Sequence, residues 1–171
     1  MKASVQIGLI TGLIAGIWQH IEYLNGISHD SFGGVAGFIP YFILFAGIGA
    51  GIYYRRNSTE FGLGYLSFKE GARTGVMISL AAGFCLAVYA MLHGLVINPE
   101  YLNEYLDFVR EALEKQNKTA EEIEVELADI RNSGSVGKLM FAKFSTTLII
   151  GMVASFIIAA LFKRDPVGSA E

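Results

Sequence analysis

From Val76 to Leu92 the chain carries no charged side chain, with Lys69 and Arg73 just before this run and His93–Ile97, Asn98, Pro99 and Glu100 after it. With its apolar continuation to Ile97, the run reaches the roughly 20 residues that a helix needs to cross a bilayer core about 30 Å thick. In hydrocarbon such a segment must satisfy its backbone internally, which makes it a helix. Three other stretches are similar in character. With 53% apolar residues in 171 and a mean hydropathy of +0.45, the chain is too apolar for a soluble domain of this length. The expectation is an all-α integral membrane protein, one membrane domain over residues 1–171. Four transmembrane helices are predicted at about 3–24, 35–54, 74–97 and 139–162, with an amphipathic, extramembranous helical hairpin at about 98–133 between the third and fourth.

Small residues recur every four positions in these stretches. The first has Gly8, Gly12 and Gly16, and the second Gly47 and Gly51. The third has Gly71, Gly75, Ser79, Gly83 and Ala87, and the fourth Thr147, Gly151, Ser155 and Ala159. Such seams let membrane helices approach closely where lipid supplies no hydrophobic drive for association. Met1-Lys2 followed by an apolar run resembles a signal sequence, but Gln19, His20 and Glu22 stand where small cleavage-site residues belong, so an uncleaved helix is expected. Trp18 and Tyr23 suit an interfacial position, and Tyr53-Tyr54-Arg55-Arg56 marks the second stretch's exit from the membrane. Pro40 falls in that stretch's first turns, where a missing amide costs least. Ser67 with Glu70 has the spacing of a capping box opening the third.

Ten of the sixteen acidic residues lie between Glu100 and Asp129. Asn98-Pro99 reads as a helix start, with Asn98 as N-cap and Pro99 in the first helical position. Leu102, Tyr105, Leu106, Val109 and Leu113 then form an apolar stripe at helical spacing. Asn117-Lys118 is a break, Thr119 with Glu122 a second capping box, and Ile123, Leu127 and Ile130 a second stripe. The two stripes predict an antiparallel pair. The connection after the first stretch, 25–34, has no Lys or Arg, whereas Arg55, Arg56, Lys69 and Arg73 flank the next, and Lys163 and Arg164 follow the last. The positive-inside rule then puts both termini in the cytoplasm and the acidic hairpin outside, with Lys138 and Lys143 opposing that orientation.

Chemistry is sparse. No basic, aromatic-rich patch points to nucleic acid, and no glycine-rich stretch has the strand-turn-helix setting of a phosphate cradle. Cys85 alone excludes an intramolecular disulfide. His20, Glu22, His29, Asp30 and His93 share the expected outer side and have the ligand types of a zinc site or proton relay. His20 and Glu22, two residues apart, do not share a helix face, so interfacial polar residues are the preferred reading, and no metal, cofactor or catalytic residue is expected. Tyr101, Tyr105 and Phe108 exceed what a tight two-helix seam needs and are the candidate contact residues for a protein partner or a second copy. The expected partners are otherwise membrane lipid. The alternative is a small transporter or channel subunit using His20, Glu22 and His93, although the other stretches place almost no polar residues at the bilayer midplane.

The run Tyr65-Leu66-Ser67-Phe68-Lys69-Glu70-Gly71-Ala72-Arg73-Thr74-Gly75, then Ile97-Asn98-Pro99-Glu100-Tyr101-Leu102 and Thr119-Ala120-Glu121-Glu122-Ile123-Glu124, resembles domain-of-unknown-function family 4199 in order and spacing. The resemblance implies a small bacterial inner-membrane protein with four transmembrane helices, and no assigned catalytic or binding residues.

Overall fold

The structure is a computed structural model and describes residues 2–26, 33–58, 64–133 and 136–164. The helices are α1 (Lys2–Leu24), α2 (Gly33–Ala36), α3 (Ile39–Asn57), α4 (Phe68–Leu92), α5 (Tyr101–Lys115), α6 (Ala120–Ser133) and α7 (Val136–Phe162), with a π-helical turn at His93–Ile97. Among the described residues the extended structure is one isolated bridge, between Leu66 and Arg164. The chain forms two compact units, one of residues 1–86 with 144–171 and one of residues 87–143.

Three helices among the described residues are long and apolar enough to cross a membrane, at Lys2–Leu24, Phe68–Ile97 and Met140–Phe162. The protein is thus all-α and multi-pass, but the expected fourth transmembrane helix at 35–54 is overturned. Two features shorten it. Gly37 and Phe38 form a turn that separates α2 from α3, so the helix begins at Ile39 rather than Val35. Its last turns are then polar, from Tyr53 through Arg55, Arg56 and Asn57. The apolar part, Ile39–Ile52, is roughly 21 Å long at 1.5 Å per residue, short of a core of about 30 Å.

In the first unit α3 instead supplies the packing centre. Leu44, Ile48 and Ile52 are almost wholly buried, with Ile78, Ala82, Ala154 and Ala159 in the same core. A methyl group built on Gly8 would fall 2.7 Å from Ala81 Cβ, and one on Gly12 would fall 2.6 Å from Cys85 Cβ, so α1 lies in backbone-close contact with α4 and runs parallel to it. Gly47 faces Thr11, and Gly51 faces Ile78 with Ile7 beyond, so α3 runs antiparallel to α1. The two longest seams meet each other: Gly71 faces Ala159, Gly75 faces Ser155, Ser79 faces Gly151 and Gly83 faces Thr147, which makes α4 and α7 antiparallel. At the centre the contact is reciprocal. Ser79 donates its hydroxyl to the Gly75 carbonyl and Ser155 to the Gly151 carbonyl, so each buried hydroxyl is satisfied on its own helix while its side chain fills the space left by the other helix's glycine.

In the second unit α5 and α6 pack through Leu106, Leu113, Ile123 and Leu127, flanked by Leu102, Val109 and Ile130. Both helices are too short to be stable alone in water, so this seam is what maintains them. Asn117, at φ 58°, closes α5. Its N–H donates to Glu114 O at 2.9 Å and that of Lys118 to Leu113 O at 3.3 Å, the pair of bonds expected when a left-handed residue ends a helix. The Thr119 capping box forms as predicted: Thr119 N–H donates to Glu122 Oε2 at 2.8 Å, and Glu122 N–H donates to Thr119 Oγ1 at 3.3 Å.

Candidate functional site

Three places among the described residues bring charged or hydrogen-bonding side chains together with aromatic rings or a backbone clasp. The first is the end of the first unit where α3 stops and α4 starts. Ser67 and Glu70 form the predicted capping box, with Ser67 N–H donating to Glu70 Oε2 at 3.2 Å and Glu70 N–H to Ser67 Oγ at 3.3 Å. Glu70 Oε1 also accepts from Arg55 Nη2 at 3.4 Å, which links the two helices. Two backbone bonds, Leu66 N–H to Arg164 O at 3.0 Å and Arg164 N–H to Leu66 O at 2.9 Å, fasten the far end of α7 to the same place. The Arg56 guanidinium carbon sits 5.4 Å from the Tyr53 ring centroid and 5.3 Å from that of Phe162, a cation–π arrangement joining α3 to α7.

The second place is the C-terminal end of α1. Glu22 is buried, and Trp18 Nε1–H donates to its Oε1 at 2.7 Å. The Trp18 ring therefore does more than mark an interface, and the four-residue spacing of Trp18 and Glu22 was the available sequence signal. His20 lies elsewhere, its ring 6.2 Å from that of Tyr23. His29 and Asp30 fall outside the described residues.

The third is the junction of α4 and α5 in the second unit. Asn98 N–H donates to His93 O at 2.8 Å, the five-residue bond of a π-turn, a feature frequent at functional sites. This bond corrects the expected cap. Asn98 is consumed by the turn, buried, with Nδ2–H donating to Glu104 Oε2 at 2.8 Å, and α5 starts at Tyr101 with no side-chain cap. The His93 ring lies 5.7 Å from Tyr89 and 5.4 Å, edge to face, from Tyr101. Of the candidate contact residues, half-buried Tyr101 is thereby used inside the unit, Phe108 is exposed, and the side chain of Tyr105 lies outside the described residues.

Among the described residues, no three His, Cys, Asp or Glu side chains converge as a metal-ligand set. His20 and Glu22 belong to one compact unit and His93 to the other. The sequence model of the family described as "Protein of unknown function (DUF4199)" matches residues 6–164. The chain belongs to that family. The DUF4199 match takes in all three places just described. None of the curated proteins and none of the solved structures matches the chain.

The long-range pairs, Arg56 with Phe162 and Leu66 with Arg164, escaped sequence reasoning because nothing in local spacing links segments a hundred residues apart. Tyr53-Tyr54-Arg55-Arg56 indicated a membrane exit but not which helix end it would grip.

Proposed function

We propose that this DUF4199 protein is a non-enzymatic accessory or scaffold protein of the bacterial inner membrane, and that its acidic α5–α6 hairpin is its contact surface. The observation that carries the reading is the division of labour within that pair. Leu106, Leu113, Ile123 and Leu127 close the seam, yet Phe108 is 45% exposed and Val125 68% exposed. Val125 lies in an open hollow with Glu121, Glu122, Glu126 and Asp129, and with Lys118, which pairs with Glu126. From Tyr101 to Ser133 there are nine acidic and four basic residues, a net charge of −5. An exposed Val125 among four acidic side chains and one lysine, on a helix pair of net negative charge, suits a partner with a basic surface and an apolar centre, and like-charge repulsion disfavours a second copy docking through the same face.

Orientation belongs to this proposal. Arg55, Arg56, Lys69, Arg73, Lys163 and Arg164 cluster around one end of the first unit, so the positive-inside rule assigns that end, where α4 starts and α7 stops, to the cytoplasm. As part of the proposal the acidic pair lies outside the cytoplasm. A transport role gains no support, because Glu22 is committed to Trp18.

In-cell photo-crosslinking from a probe at Phe108, and separately at Val125, tests the proposal. Reproducible capture of one heterologous protein from both positions, competed by a charge-reversed α6, is the expected result. Capture of only lipid or only this chain would refute the partner reading. Labelling of Asn117→Cys by an impermeant thiol reagent in intact cells tests the orientation, and protection of that thiol would reverse it.

A further inference from the structure

The first unit contains a second feature that the accessory reading does not use. An apolar groove of about 510 Å³ lies along α7, lined there by Ile149, Ile150, Val153, Ala154, Ile157 and Ile158 and on the α3 side by Phe45. Its α7 wall lies within a membrane-crossing segment, and Ile149, Val153 and Ile157 are exposed. From Ile149 to Ile158 the groove extends roughly 14 Å along the helix, and Phe162 lies about 6 Å further on, at 1.5 Å per residue.

At that far end stands Arg56. Its guanidinium is held by the rings of Tyr53 and Phe162, and these two rings meet edge to face with centroids 6.4 Å apart. Its Nε is buried and has no hydrogen-bond acceptor among the described residues. The neighbouring Arg55 is instead paired with Glu70. A guanidinium held by aromatic rings still presents its N–H groups in its own plane, the geometry that recognises a phosphate with two parallel bonds. Groove and cation thus share the same two helices, separated by about one helical turn.

We propose that the α3–α7 face is a binding site for a glycerophospholipid, with an acyl chain in the groove and the lipid phosphate on Arg56. The spacing of about one turn corresponds to the glycerol and ester groups that separate phosphate from chain. The short apolar length of α3 fits this occupant, since Tyr53 and Arg56 are thereby brought to the level at which a headgroup meets its chains.

The test is native mass spectrometry of the full-length protein in detergent micelles, titrated separately with dioleoyl phosphatidylglycerol, dioleoylglycerol and inorganic phosphate. Phosphatidylglycerol is expected to form a retained one-to-one adduct. Arg56→Gln should weaken it about tenfold, the usual loss of a hydrogen bond to a charged group, and leave dioleoylglycerol retention unchanged. Val153→Trp, which fills the groove, should weaken both lipids. Arg56→Lys keeps the charge without the fork and should give an intermediate loss, and it carries the test if Arg56→Gln does not elute as a monodisperse species. Equal phosphatidylglycerol retention by the natural protein and both Arg56 variants would overturn the proposal. So would insensitivity to Val153→Trp, or inorganic phosphate binding as tightly as the lipid, which would make Arg56 a free-anion site.

Discussion

Replacing Gly75 with alanine probes the reciprocal crossing of α4 and α7 at its centre. A methyl group built there would lie 2.6 Å from Ser155 Cβ, closer still to Ser155 Oγ, and 3.1 Å from Ile48 Cγ2, whereas apolar contacts are comfortable at about 3.5–4.0 Å. Ser155 is wholly buried and its hydroxyl is bound to Gly151 O, so it cannot rotate aside without losing that bond. The helices must separate by roughly 1 Å, and overpacking of this kind costs about 1–3 kcal/mol. The better helix propensity of alanine returns at most about 1 kcal/mol, so a net loss of about 1–2 kcal/mol is expected. The assay is reversible unfolding in mixed micelles by titration with a denaturing detergent, read by circular dichroism and by fluorescence of Trp18, the chain's single tryptophan. Ser155→Gly removes the obstructing side chain, so the double variant should recover most of the loss, with a coupling of at least 1 kcal/mol. Gly83→Ala is the control, because its methyl would meet Phe144 at 3.4 Å and should hold stability or raise it by at most about 1 kcal/mol. A Gly75→Ala protein as stable as the natural one, or a double variant no better than the single, would refute the close-packed crossing.

Trp18→Phe should cost about 1–3 kcal/mol by leaving the buried Glu22 carboxyl group without its donor, whereas Glu22→Gln, which keeps an acceptor oxygen, should cost less; thermal unfolding followed by circular dichroism orders the two. Asn117→Gly should hold or slightly raise stability in the same measurement, while the β-branched Asn117→Val should lower it by about 1–2 kcal/mol, because the residue's positive φ penalises a branched side chain. The Thr119 backbone N–H, followed by its hydroxyl, holds the Glu122 carboxyl below its ordinary value of 4.5. A depressed folded value means that this contribution is complete above the unfolded carboxyl's range and is lost as pH falls through the lower folded value. In an acid titration of helix content the natural protein should therefore exceed Thr119→Val above about pH 4.5, and the two should converge as pH falls through the lower folded value; equal helix content throughout would contradict the hydroxyl's part in the capping box.

Much of the helix packing could be read directly from residue types. The four-residue periods of Gly71, Gly75, Ser79, Gly83 and of Thr147, Gly151, Ser155, Ala159 emerge as the two sides of one contact, because only small residues permit that approach. Ser67 with Glu70 and Thr119 with Glu122 were equally visible, since a capping box is entirely local. The start of α3 was hidden because Val35, Ala36 and Phe38 are apolar, and hydropathy does not register a turn made at Gly37-Phe38. Asn98-Pro99 carried a genuine helix-start signal that lost to the π-turn, whose bond from Asn98 to His93 O requires the register of the preceding helix. The grip of Tyr53 and Phe162 on Arg56 depends on how α3 and α7 meet, which is a tertiary outcome that no local period encodes.

The alternation of glycine and serine across α4 and α7 also limits how this protein could carry a signal through the bilayer. Sliding α7 by one turn in one direction would bring Ser79 onto Ser155, and in the other direction onto Thr147; either slip would also set glycine opposite glycine, Gly83 on Gly151 or Gly75 on Gly151. Each slip combines a collision with a void, so the pair has a single seat and no neighbouring notch. Piston motion of one helix along the other is therefore closed to it. A motion that keeps this seam closed carries α4 and α7 together, tilting or rotating as one body.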